Sequence, residues 1–190
     1  MKKKVLTNRP YWYVKRFLDI LFSLLLIIIT FPLMVITVIL LLINTGFPIF
    51  DIRFPREGLN RKPFYMLKFK TRIYDTGDMW GRKTRLSHVI DKFKLNELPQ
   101  LFNVFVGQMS FVGPRAFICG EKLPDQKISD KRYMVRPGLI SLSYVRYGAG
   151  ASHKDKLTAD VEYYDNFGFI EDLKVVFLTP VEIIKQFSAK

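Results

Sequence analysis

Residues 17–43 form a continuous apolar run in which Asp19 is the single charge, and no other feature restricts the fold as tightly. At ~1.5 Å per helical residue the run is longer than a hydrocarbon core of ~30 Å is thick, so it has to meet lipid. It exceeds a secretory h-region of about 7–15 residues, and no small-x-small cleavage site follows it. Lys2, Lys3, Lys4, Lys15 and Arg16 precede the run, and Arg53, Arg56, Arg61 and Lys62 follow it. Cations on both flanks favour a cytoplasmic position for both ends. A single span cannot satisfy that, whereas a re-entrant hairpin can, and Pro32 removes a backbone hydrogen bond near the middle, where a bend is needed. The expectation is a membrane anchor over residues 1–46, broken at Pro32, and a cytoplasmic domain over residues 47–190. Asp19 falls one helical turn after Lys15 and Arg16, which predicts an ion pair with them at headgroup level.

The 190 residues suit one domain plus this membrane element. Thirty Lys and Arg against seventeen Asp and Glu leave a net charge of +13, which calls for an anionic partner such as anionic lipid or a phosphorylated substrate. Nucleic acid would explain the charge but not the apolar run, so it is not expected as a partner. Cys119 is the only cysteine, which excludes an intramolecular disulfide and reads as an ordinary buried thiol. Cys/His metal clusters, Gly-rich nucleotide loops and serine triads are missing from the sequence.

Alternation in Phe64-Tyr65-Met66-Leu67-Lys68-Phe69-Lys70-Thr71 predicts a strand with Lys68 and Lys70 on one face, serving either to meet phosphates or to keep an edge strand from aggregating. Residues 75–83 read as a loop and residues 86–93 as a helix. The next helix begins at Leu95-Asn96-Glu97-Leu98-Pro99, with Asn96 as the expected N-cap, Glu97 acidic in the first turn, and Gly107 as the stop. Arg115 follows a Gly-Pro turn, a position suited to bidentate phosphate binding, although a plain surface arginine reads the same way. Residues 169–187 mix apolar and charged side chains, which predicts interfacial amphipathic helices divided at Pro180.

The order of Lys15-Arg16-Phe17-Leu18-Asp19, the Pro32-interrupted run, Lys68-Phe69-Lys70-Thr71, Glu97-Leu98-Pro99-Gln100-Leu101, Ser110-Phe111-Val112-Gly113-Pro114-Arg115, Val135-Arg136-Pro137-Gly138 and Asp172-Leu173-Lys174 resembles the monotopic phosphoglycosyltransferases, the bacterial sugar transferase family. The resemblance covers nearly the whole chain. It implies an α+β fold, mostly helical with a small β element, lodged by a re-entrant hairpin in the cytoplasmic face of the bacterial plasma membrane. It further implies a UDP-sugar donor, a polyprenyl phosphate acceptor, Mg2+ held by Glu97, and phosphate binding by Lys68 and Arg115, with Lys70 and Arg136 as further substrate-site candidates.

The same resemblance puts an aspartate, the family's nucleophile, where this chain has Asn96. An amide is a poor nucleophile and a weaker ligand for a hard divalent cation. The family pattern also leads one to expect an arginine near Asp91, an acidic residue at Gln108, a proline at Ala116, a glutamine near Phe54, and a Thr-Gly, Ala-Gln, Asn-Gly series at Ile140-Ser141, Ser143-Tyr144 and Arg146-Tyr147. Drift at so many polar positions suggests an impaired homologue that partners an active relative, in a homo- or hetero-oligomer. A working transferase with an altered site, or an engineered substitution at Asn96, remain the other readings.

Overall fold

The computed structural model describes residues 10–74, 81–121, 130–148 and 150–188. Lysines 2–4 and most of the expected loop at 75–83 lie outside these residues. A helix of 36 residues, α1 (Pro10–Thr45), leads into β1 (Arg56–Glu57), β2 (Pro63–Phe64), α2 (Arg85–Lys92), α3 (Gln100–Val106), β3 (Ser110–Val112), β4 (Gly138–Ile140), α4 (Leu142–Tyr147), α5 (His153–Asp165) and α6 (Phe169–Ser188). The chain is therefore mostly helical with a small β element: β1 pairs antiparallel with β2, and β3 pairs parallel with β4.

Two of the helices are inside out relative to those of a water-soluble core. On α1 the buried positions are Lys15, Asp19, Ser23, Met34, Thr37 and Leu41, whereas Phe17, Ile28, Ile29, Phe31 and Ile43 are exposed. On α6 the carboxylates Glu171 and Asp172 are buried with Val175 and Thr179, while Ile170, Phe177 and Ile184 are exposed. Polar stripes turned inward and apolar faces turned outward are the arrangement that lipid favours, because a polar group in hydrocarbon must find its partner within the protein. An exposed apolar surface of this extent marks membrane contact.

The inward stripe of α1 docks by specific bonds. Asp19 accepts from Ser110 Oγ at 3.0 Å and from the Phe111 amide at 3.1 Å, both on β3. Lys15 is ion-paired with Asp172, which also accepts from Tyr163 at 2.6 Å and from Tyr11 at 2.6 Å. The expected local pairing of Asp19 with Lys15 and Arg16 is thus replaced by tertiary bonds, since burial against β3 and α6 offers Asp19 and Lys15 better partners than headgroup water. Arg16 caps α3, donating to the Val104 and Phe105 carbonyls at 2.7 Å each. The far end of α1 meets the same body: Asn44 and Thr84 side chains are hydrogen-bonded, and Thr45 Oγ1 donates to the Lys70 carbonyl at 3.3 Å.

Four local expectations are corrected. α1 continues through Pro32 as one helix and is not broken there. α6 runs through Pro180 without dividing. The strand expected at 64–71 shrinks to β2 and a bridge between Phe50 and Phe69, because Asn103 takes the backbone of the intervening stretch, accepting from the Leu67 amide and donating to the Tyr65 carbonyl. Asn96 is no N-cap: residues 95–97 form a 3₁₀ turn, and α3 starts only at Gln100 behind Pro99. Gly107, at φ 90°, ends α3 as expected, and Thr84 caps α2.

Candidate functional site

Two clefts flank Glu97. The first, of about 410 Å³, is walled by Leu26 and Thr30 of α1, Leu101, Phe111, Leu139, Tyr144 and Thr179, and has Lys94, Glu97 and Arg115 on its polar side. The second, of about 430 Å³, is lined by Arg53, Arg56, Lys68 and Arg72, together with Asp51, Phe54 and Tyr74. Lys68 Nζ, on the rim of the second cleft, lies 3.0 Å from Glu97 Oε1 on the rim of the first. One cleft is thus apolar with a charged end and opens beside the membrane helix, while the other is strongly cationic.

Glu97 rides the 3₁₀ turn, which enters through Lys94 in a left-handed conformation, φ 58°. Burial raises the Glu97 carboxyl, but Lys68 and Lys94, with help from Arg115, outweigh it and hold the group below the ordinary carboxylate range. Arg115 follows β3, where Gly113 and Gly138 pass so closely that a Cβ on either would collide with backbone of the other strand's segment. Its guanidinium is exposed and has no hydrogen bond or ion pair among the described residues, a free cation at the cleft mouth. Arg56 lies near enough for the two charges to repel, and burial together with Arg115 lowers its pKa.

Asn96 lines neither cleft. It is buried beneath the turn, its carbonyl accepts from the Phe69 amide at 2.9 Å, and its Oδ1 has no hydrogen-bond partner among the described residues. Lys70 and Lys68 part company: Lys70 is buried, its ammonium donating to the Thr45 carbonyl at 3.1 Å and the Phe47 carbonyl at 2.9 Å, where it closes the C-terminal end of α1. Arg136 donates to the Gly107 carbonyl at 2.8 Å and lies over the Trp12 ring, away from both clefts. The structure therefore brings together Lys68, Glu97 and Arg115, sets Asn96 underneath them, and uses Lys70 and Arg136 elsewhere. Arg53, Arg56 and Lys94 are cleft residues that sequence reasoning missed. The first two were legible as cations but served there only to orient the anchor.

The positions that depart from the family pattern have structural partners. Asp91 is ion-paired with Lys83, Gln108 accepts from Asn103 at 2.6 Å, and Ala116 packs with Phe64, Val104 and Met109. Ser141 caps α4 and shares a hydrogen bond with Ser143, and Arg146 is ion-paired with Glu162. Among the described residues no group of three His, Cys, Asp or Glu converges as a metal site would require. Magnesium bound together with a diphosphate fits only weakly here, since the chain supplies one carboxylate, already paired with Lys68, and the orphan amide oxygen of Asn96. Cys119 is half-buried, and burial pushes its thiol up, so it is not an activated nucleophile.

A family model described as bacterial sugar transferase matches residues 10–186. The uncharacterized sugar transferase EpsL of Bacillus subtilis is 31% identical, with 90% of this chain and 87% of that protein aligned. A UDP-N-acetylgalactosamine-undecaprenyl-phosphate N-acetylgalactosaminephosphotransferase of Aeromonas hydrophila is also 31% identical, over 98% of this chain but 47% of its own length, so this chain spans about half of that enzyme. The exopolysaccharide production protein PSS of Rhizobium leguminosarum is 28% identical over 88% of this chain and 94% of its own.

Proposed function

Because the chain belongs to the bacterial sugar transferase family, we propose that it is a membrane-bound sugar-1-phosphate transferase homologue of glycoconjugate biosynthesis that has lost its nucleophile and works as the partner of an active relative. The observation that carries this reading is Asn96, a buried amide with an orphan oxygen at the position from which the family's attacking carboxylate would act. Attack on phosphorus needs an anionic oxygen, and losing a covalent nucleophile costs several orders of magnitude in rate. Binding is a separate matter. Arg115 at the charged end of the apolar cleft, and the Lys68–Glu97 pair where the two clefts meet, suit the phosphates of a UDP-sugar, and the apolar walls beside α1 suit the prenyl chain of a polyprenyl phosphate.

The reading includes a re-entrant α1 with both ends on the cytoplasmic face of the bacterial plasma membrane. Its support is that Asp19 and Arg16 at one end and Asn44 and Thr45 at the other are bonded to one body. A straight crossing would leave one end on the far side of a ~30 Å hydrocarbon core. With Cys119 replaced by alanine, single cysteines at positions 4 and 62 should both resist labelling from outside intact cells, and labelling at one of them would establish a span.

The deciding assay offers the full chain a panel of UDP-sugars with polyprenyl phosphate, alone and beside an active relative. No turnover alone, with a changed rate in the relative, is the expected result. A second reading, a working transferase, rests on Glu97 standing at the cleft edge where Asn96 does not. Turnover by the unmodified chain with a sugar-phosphate adduct on Glu97 would establish that reading instead.

A further inference from the structure

Arg115 reaches the cleft from a backbone that something else must hold, because its own side chain has no partner among the described residues. That something is a pair of charges under the Gly-Pro turn. Arg132, from the 3₁₀ turn at Asp130–Met134, donates through Nη2 to the Arg115 carbonyl. The same Nη2 lies 2.8 Å from Oδ2 of Asp160 on α5, and the guanidinium stacks 3.8 Å from the Phe117 ring. Both side chains are almost wholly inaccessible, at 2% and 1%. The pair is nevertheless poorly satisfied. Arg132 Nε and Nη1 and both Asp160 oxygens lack a hydrogen bond of good geometry among the described residues. Burial pushes the Asp160 carboxyl up to about 6 despite the Arg132 charge beside it. A dry, under-satisfied ion pair is a poor source of stability, and packed apolar residues would generally serve the core as well or better. Its placement against the peptide of the free cation supplies another reason for its presence.

We propose that Arg132 and Asp160 are positioning residues that fix the Arg115 peptide, and through it the direction in which the Arg115 guanidinium meets the substrate's phosphates. The proposal rests on the phosphate-binding reading of the cleft. It adds to that reading a buried device, contributed by two elements that line no part of the cleft. Arg132 reaches the turn from one side, α5 fixes Arg132 from the other, and the Phe117 ring restricts the guanidinium to one plane.

The test uses the full chain in detergent micelles and two readouts. In the first, Arg132→Met combined with Asp160→Leu removes the charges and keeps the volume, and uridine diphosphate binding is measured by calorimetry. Binding should weaken about tenfold, as is usual when a supporting residue is lost, with the melting temperature unchanged or raised. The weakening should vanish in an Arg115→Ala background. In the second, Arg115→Cys is spin-labelled with Cys119 replaced by alanine, which needs no ligand. The immobile component of the spectrum should be lost when the buried pair is removed. Unaltered uridine diphosphate binding and an unaltered spectrum in the folded apolar variant would overturn the proposal. If the parent binds no uridine diphosphate, the phosphate-binding reading fails on its own, and the label spectrum alone decides whether the pair fixes the Arg115 backbone. Should the double variant not fold, Arg132→Lys keeps the charge without the fixed fork and is read by the same spectrum.

Discussion

The seat of the membrane helix and the turn beneath the clefts treat buried polar groups in opposite ways. At the seat, Asp19 has a hydroxyl and an amide, and Asp172 has Lys15, Tyr11 and Tyr163. At the turn, Asn96 is equally buried, yet its Oδ1 has no partner among the described residues, and Glu97 has Lys68 and a long contact of 3.4 Å from Gln100. A buried polar atom without a hydrogen bond costs stability, so it persists where selection has stopped refining the site or where a bound group completes it. The contrast says that the seat of the anchor is complete within the chain, whereas the polar atoms at the turn are not all satisfied by the described residues.

The largest expected effect tests the seat. Asp172→Ala strands the buried Lys15 ammonium and the half-buried Tyr11 hydroxyl, leaves Tyr163 only the Val112 carbonyl at 3.1 Å, and should cost about 3–5 kcal/mol in thermal or denaturant unfolding in detergent. A loss near zero would mean that the seat is no better built than the turn, and the contrast would fail. Next comes the cleft. Arg115→Ala should weaken uridine diphosphate binding by about 1.5–3 kcal/mol, the range for a charge-assisted hydrogen bond. Absence of binding by the parent would show that relaxation has reached the phosphate site too.

Asn96→Asp sharpens the comparison further. The side chain keeps its size, and Lys68 and Lys94 already act on the adjacent Glu97, so the protein should still fold, with a stability change of about 1 kcal/mol either way. Transfer activity should stay near background and no covalent sugar-phosphate adduct should be seen by mass spectrometry, because the surrounding positions already have other partners. Robust turnover would show that this one residue alone disabled the site.

The smallest effect is a pH dependence. The folded Glu97 carboxyl sits below its ordinary value, so the stability it contributes is present above that ordinary value of 4.5 and lost as pH falls through the lower folded one. Glu97→Gln should therefore cost about 1 kcal/mol or less at neutral pH, as half-exposed pairs do. The gap from the parent should close on acidification below about pH 4. A gap independent of pH would assign the effect to packing and not to the Lys68 pair.

The helical scaffold was largely legible in the sequence, and the site only in part. Residues 17–43 announced the membrane helix through composition, and Gly107 marked the end of α3 through capping chemistry that acts within a few residues. Tertiary choices were hidden. Alternation at residues 64–71 pointed to a strand of which only β2 and the Phe50–Phe69 bridge form, and nothing local reveals that Asn103 would take the hydrogen bonds between them or that Lys70 would turn to the end of α1. The parallel pairing of β3 with β4 joins segments separated by a long connection, which no short-range pattern encodes. Lys68, Glu97 and Arg115 were found because motif order carried them. Lys94, Arg53 and Arg56 were missed because a cation that lines a cleft and one that flanks a membrane segment read alike before the chain is folded.

The inward polar stripe of α1 also fixes an order of assembly. α1 leaves the ribosome before β3 and α6, and until these have been made its inward lysine and aspartate have no tertiary partners. β3 in turn needs Asp19 to satisfy Ser110 and the Phe111 amide. A fragment beginning at residue 47 would therefore lack the peg that holds β3, lose the Leu26 and Thr30 wall of the cleft, and expose the apolar face of α6 to water. The bilayer is in this sense a template for the rest of the fold, and expression without the helix would yield an aggregating chain instead of a soluble version of the protein.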